Sequence, residues 1–208
     1  MIRRNLSHLG LMAMGICAAL TSGSTLEEPR STNTERFNGQ GVTPLVIRGT
    51  IEPGGKERSF SGTIQEIDSQ IRSINPDFSW KKFQPSGRNF VGSPRKRSID
   101  KILCHVQNLP PAPRDGIDAT INWLNNLATE LQVSGNQCTK FSCQKNTAFW
   151  FCNDNPWWIQ QNSITLATYV TSIANETACE TSGDQNLIQG QAFDTGGFNV
   201  IINGDNCS

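Results

Sequence analysis

The chain has 208 residues, with 18 Lys/Arg balanced by 18 Asp/Glu and a mean hydropathy of −0.40. A chain of membrane-spanning helices and a uniformly basic nucleic-acid binder are both excluded by that balance. Neutrality hides an asymmetry: residues 1–97 hold 14 Lys/Arg against 8 Asp/Glu, and residues 98–208 hold 4 against 10. The two halves attract one another, and the acidic second half lacks the clustered cations that phosphate contacts require, so no nucleic-acid partner is expected.

The chain starts with Met1-Ile2-Arg3-Arg4, an apolar run from Leu9 to Leu20, and the small residues Thr21-Ser22-Gly23-Ser24. A basic start, a short apolar core and a small-residue exit predict a signal peptide over 1–23. The apolar run falls short of the ~20 residues needed to cross a bilayer, so no stable membrane anchor is expected. The expected location is secreted and extracellular.

Residues 24–97 read as a pro-segment, polar and disordered over 25–40. Val42–Ile51 has strand-like content broken by Pro44 and Gly49. Ile64, Ile67, Ile71 and Ile74 recur at helical spacing, with Thr63 and Glu66 set for a capping box, so the spacing predicts an amphipathic helix over Thr63–Ile74. Such a helix either covers an apolar surface of the second half or packs on nothing; Phe78-Ser79-Trp80 offers a further anchor. Gln84–Arg97 is a Gly/Pro/Ser-rich basic linker ending in Arg95-Lys96-Arg97, a dibasic signal for a kexin-type protease. The expected cut after Lys96-Arg97 leaves Ser98 as the new N-terminus and 98–208 as the mature cysteine-rich domain.

Apart from Cys17, every cysteine follows that point: Cys104, Cys138, Cys143, Cys152, Cys179 and Cys207. In an exported chain, six clustered cysteines predict a disulfide framework. Zinc would want paired C-x-x-C spacing or companion histidines, and residues 98–208 contain only His105, so no metal or cofactor is expected.

Ile99–Val106 reads as a strand, and Pro110-Pro111-Ala112-Pro113 as a turn. Ile117, Ile121, Leu124, Leu127 and Leu131 repeat at helical spacing, with Asp115 and Asp118 at the positive end and Gly135 beyond the stop. Cys138–Cys143 and Thr147–Cys152 flank Gln144-Lys145-Asn146 and predict a hairpin. A turn centred near Lys145 sets Cys138 opposite Cys152 and favours that pair. After Asn155-Pro156, a second helix is expected over Ser163–Cys179. Leu187–Phe193 and Phe198–Asn203 flank Asp194-Thr195-Gly196-Gly197 as a second hairpin. The order strand, helix, hairpin, helix, hairpin predicts an α+β fold: a small, disulfide-stapled two-layer sandwich, an antiparallel sheet with two helices on one face.

Cys143, Asn146-Thr147-Ala148-Phe149-Trp150-Phe151-Cys152-Asn153-Asp154-Asn155, the helix expected to end at Cys179, and the closing Gly190-Gln191-Ala192-Phe193, Phe198-Asn199-Val200-Ile201-Ile202 and Cys207 form a recognisable set. On these residues, 100–208 resembles small secreted cysteine-rich effectors of plant-pathogenic filamentous fungi, which implies an extracellular site in the host apoplast or transfer into host cells. The resemblance implies a killer-toxin-like, ferredoxin-like α/β sandwich, kexin processing and a virulence role. It does not extend to the pro-segment and names no host target.

Catalysis is not expected. His105 has no second histidine for an acid–base pair, bridged cysteines are not nucleophiles, and Asp154, Glu180, Asp184 and Asp194 read as solvated loop acids. Binding of a host protein or a second secreted protein is the expected activity; a killer-toxin-like or antimicrobial protein acting on competing cells is the alternative. Trp157 and Trp158 are the candidate binding residues. Adjacent residues do not share a face, so either one ring is core and the other exposed, or both pack over the hairpin. Trp123 and Trp150 read as packing residues. Asn175-Glu176-Thr177 is a glycosylation sequon, and Asn206-Cys207-Ser208 matches formally at a crowded terminus. If the maturation reading is right, denaturing intact-mass measurement of the secreted protein gives a species beginning at Ser98; a dominant species retaining residues 30–97 in the same chain refutes it.

Overall fold

A computed structural model describes residues 35–85, 98–106, 108–127, 129–181 and 184–207, all within one compact unit, Thr34–Ser208. The signal peptide 1–23, Cys17 and the processing residues Lys96 and Arg97 lie outside the described residues, while Ser98 is described and exposed.

In chain order the elements are β1 (Arg36–Phe37), β2 (Gln40–Val42), β3 (Val46–Thr50), β4 (Arg58–Ser61), α1 (Ile64–Ile74), a 3₁₀ turn at Trp80–Lys82, β5 (Gln84–Pro85), β6 (Ile99–Cys104), β7 (Ala112–Pro113) and α2 (Arg114–Leu127). They continue with β8 (Glu130–Val133), β9 (Gln137–Gln144), β10 (Thr147–Asn153), β11 (Ile159–Asn162), α3 (Ser163–Ala174), a 3₁₀ turn at Thr177–Cys179, β12 (Glu180–Thr181), β13 (Asp184–Ile188), β14 (Gly190–Asp194) and β15 (Phe198–Gly204). The class is α+β, dominated by a seven-stranded sheet of order β1-β2-β9-β10-β15-β14-β6.

The hairpin β9–β10 turns through Lys145 and Asn146, both at positive φ (50° and 59°), as a two-residue loop matched to strand twist requires. Continued unbroken from that turn the register would face Cys152 with Thr139; a bulge between Phe149 and Trp150 shifts it by one, so Cys152 lies across from Cys138, and the two are bridged. Cys104–Cys179 and Cys143–Cys207 complete three bridges among the described residues. All seven residues of β10 are buried, as are all seven of β15. Alternation along both strands sends Phe149, Phe151, Phe198, Val200 and Ile202 into the main core with Leu124 of α2 and Leu166, Tyr169 and Val170 of α3. It sends Ala148, Trp150, Cys152 and Ile201 into a second cluster with Phe37 and Val42.

Several elements depart from the sequence reading. The helix expected through Leu131 stops at Leu127, because the chain turns to pair β8 with β11; Ser163 N–H donates to the Thr129 carbonyl at 2.9 Å there. Neither strand of that ribbon was anticipated. The helix expected to Cys179 ends at Ala174, and the 3₁₀ turn carries Cys179 to its bridge with Cys104. The strand expected over Leu187–Phe193 is broken at Gln189, whose backbone N–H goes to the Cys179 carbonyl and whose side chain pairs with Val106. His105 lies past the end of β6 at φ 52°, not on the strand. The main sheet is not wholly antiparallel, since β2 joins β9 in parallel.

The largest departure lies before residue 98. Residues 36–42, expected to be mostly disordered, form β1 and β2 at the end of the main sheet. Helix α1 starts directly after Thr63, which accepts from Glu66 N–H at 3.4 Å while Glu66 accepts from Thr63 N–H at 2.6 Å. Its Ile64, Ile67 and Ile71 are fully buried, each stabilising by about 1.5–3 kcal/mol. They belong to the same core cluster as the second half, together with Leu45, Ile47, Phe60 and Phe78. Trp80 meets Phe78 edge to face at 5.0 Å and donates its indole N–H to Asp68 at 2.9 Å.

The bridges close loops with sequence separations of 14, 64 and 75. In the chain-entropy account their loss costs about 3 kcal/mol for the shortest loop and about 4–4.5 kcal/mol for the longer two. Alkylation of the native protein without reductant labels none of the six cysteines, and full reduction unfolds it, as read by near-UV circular dichroism.

Candidate recognition surface

The segment Cys152-Asn153-Asp154-Asn155-Pro156-Trp157-Trp158 leaves the end of β10 and enters β11. Its residues are of the types that bond their own backbone and make turns, and here they fasten four parts of the chain together. The buried Asn153 carboxamide donates to the Ser134 carbonyl at 3.1 Å and the Trp157 carbonyl at 2.7 Å. Its oxygen accepts from Asn155 N–H and Nδ2, both at 3.0 Å. Asn155 Nδ2 reaches the Gly196 and Gly197 carbonyls in the β14–β15 turn, at 3.0 and 2.8 Å. Asp154 accepts from Asn199 Nδ2 at 3.0 Å and from Gln40 Nε2 at 2.9 Å. On the other side, Gly135 lies so close that a Cβ there would stand 2.3 Å from the Pro156 oxygen.

Above this base stand the two indoles. Trp157 is 63 % exposed and Trp158 45 %, the most exposed Phe, Tyr or Trp side chains among the described residues. Neither alternative from the sequence holds: no ring of the pair is core, because the backbone from Asn155 to Trp158 runs over the surface before Ile159 turns inward to pair with Val133. Trp158 precedes a strand in which Ile159 and Gln161 are buried while Gln160 and Asn162 face outward. The Gln132–Gln160 contact at 3.3 Å and the Asn162–Glu130 contact at 3.1 Å line that outward side. The main chain under the rings is held by the buried Asn153 carboxamide through the Trp157 carbonyl, so the indoles are presented on a fixed support. Trp123 is partly buried and Trp150 buried. Trp150 donates to Asn203 Oδ1 at 3.0 Å and stacks on Phe37 at 3.7 Å.

The other candidate positions are scattered. The exposed His105 side chain sits at the opposite end of β6 from the sheet corner near Asp194. Asp194 is buried at the end of β14 and accepts from the Tyr169 hydroxyl. Glu180 is part of β12 and Asp184 of β13, so of the four acids only Asp154 is in an exposed connection, and its oxygens are occupied by Asn199 and Gln40. Among the described residues no group of three or more His, Cys, Asp or Glu is arranged to hold a metal ion. Asn175 caps the C-terminus of α3 and is exposed, so its sequon is reachable from solvent, while Cys207 of the second sequon is bridged to Cys143. The sequence analysis assigns no supporting role to Gln40, Asn153 or Asn199, although Asn153 and Asn199 lie in the segments that carry the resemblance. The run of three Asx residues between Cys152 and Pro156 was a further signal for Asn153; Gln40 carries none.

Comparison with protein-family models, with curated proteins and with solved structures found no match to this chain.

Asn153→Ala removes several part-buried hydrogen bonds at once and is expected to cost about 2–4 kcal/mol, whereas Trp157→Ala changes stability by no more than about 0.5 kcal/mol. Chemical denaturation of both variants against the parent checks the contrast.

Proposed function

We propose that the chain is the precursor of a secreted effector of a filamentous fungal plant pathogen, which acts by binding a host protein and not by catalysis. In this reading the signal peptide 1–23 directs export, a kexin-type protease cuts after Lys96-Arg97, and residues 98–208 carry recognition as a two-layer module with α2 and α3 on one face of the sheet. Glycosylation at Asn175 is compatible with the exposure of that side chain.

The observation that carries the reading is the pair Trp157–Trp158, exposed on a backbone held by the buried Asn153 carboxamide. Exposed indoles are costly in solution and are the residues most enriched among interface anchors. Presenting them from a fixed base limits the conformational entropy lost on association. Three bridged cysteine pairs support an extracellular working environment, and no helix among the described residues is long and apolar enough to cross a membrane.

The test is complementation of a deletion strain during infection. Trp157→Ala combined with Trp158→Ala is expected to reduce host colonisation to the level of the deletion, with unchanged secretion and circular dichroism; His105→Ala restores it fully. Full restoration by the double Trp variant together with failure of His105→Ala overturns the binding reading and points to chemistry at His105. Growth inhibition of competing fungi by the purified protein, dependent on the same two indoles, favours the killer-toxin-like alternative instead.

A further inference from the structure

We infer that residues 35–83 are a permanent subunit of this protein: severing the chain between Pro85 and Ser98 leaves a two-chain complex held without any covalent link. The inference rests on the proposed cut after Arg97 only for its occurrence in the secreted protein, not for the hold itself.

All three described bridges lie within 104–207, so no disulfide ties the first segment to the second half. What ties it is the outer edge of β9. One edge of β9 pairs with β10; the other would present unpaired N–H and C=O groups, a template for pairing with other chains. That edge is closed by the segment itself. Strand β2 pairs in parallel through Gly41 with Gln137 and Val42 with Cys138, and Thr43 N–H continues to the Cys138 carbonyl at 2.9 Å. Further along, where β2 has ended, the Gln65 carboxamide of α1 takes over as a side-chain substitute for a strand. It donates to Ser142 Oγ at 2.9 Å and accepts from Cys143 N–H at 3.3 Å.

The flanks add area and specificity. Phe37 lies flat on Trp150, ring centroids 3.7 Å apart and planes 8° from parallel, while Gln40 bonds Asp154 and the Asn153 carbonyl beneath the tryptophan loop. Ile64, Ile67 and Ile71 sit in the same core as Phe141 and Phe149 of the hairpin. A segment that completes a sheet, fills a shared core and supports Asp154 is released only by exposing all of these at once. The partner of the β9 edge is therefore this chain's own residues 37–65, cut or uncut.

The test uses the full chain with Arg95-Lys96-Arg97 replaced by the recognition sequence of a site-specific protease, cut after folding. Native mass spectrometry and size-exclusion chromatography at about micromolar concentration are expected to show both fragments in one species. Denaturation without reductant separates them. Elution of residues 98–208 alone, with the N-terminal fragment in a separate peak, overturns the proposal. The cut Phe37→Ala, Gln65→Ala double variant should dissociate at least about tenfold more readily; an unchanged dissociation constant shows that the β9 edge is not the hold and also overturns it. Protein from fungal culture supplies the distinguishing arm. A single uncut chain there refutes the processing reading while the engineered cut still decides retention.

Discussion

Strand β9 is the constraint on which the architecture depends. On one side it forms the hairpin with β10, closed by the Lys145-Asn146 turn and the Cys138–Cys152 bridge. On the other it is completed by β2 and the Gln65 carboxamide. Further, Cys143 fixes it to the C-terminal Cys207, and Lys140 pairs with Asp205 at 2.7 Å. With β9 fixed, β10 is central, both its faces are covered, and β15 and β14 add in hairpin order to continue the sheet.

The amide cluster at the end of β10 shows how a small domain uses buried polar groups. Each donor and acceptor of Asn153 named above is matched, which makes the cluster a support and not a liability. It also gives the Cys-Asn-Asp-Asn segment a physical meaning independent of function: those residues join the β8–β9 connection, the β14–β15 turn and the N-terminal strand at one corner. Whatever the indoles of Trp157 and Trp158 engage, they do so from a loop whose base is hydrogen-bonded to three other segments of the chain. Among the described residues, the contacts named between the halves are apolar, backbone and carboxamide in kind.

What the sequence alone determined was local. The capping box at Thr63, the isoleucine spacing of α1, the hairpin turn at Lys145-Asn146, the Cys138–Cys152 pair and the close of the chain as a glycine-turned hairpin follow from short-range patterns, in which a few neighbouring residues meet one steric or hydrogen-bonding requirement. Tertiary structure decided the rest. Leu131 continues a helical period, yet it becomes strand because pairing with Gln161 outweighs one more helical turn. Cys104–Cys179 and Cys143–Cys207 join residues far apart in sequence, and many pairings are compatible with the spacing. Trp157 and Trp158 are both exposed because a loop, not a strand or helix, carries them, so alternation had no hold on them. Residues 24–97 have no cysteine and an unlike charge, and from composition they look separable. Residues 40–42 nevertheless join the sheet because the open edge of β9, which no local pattern reveals, required a strand from elsewhere in the chain.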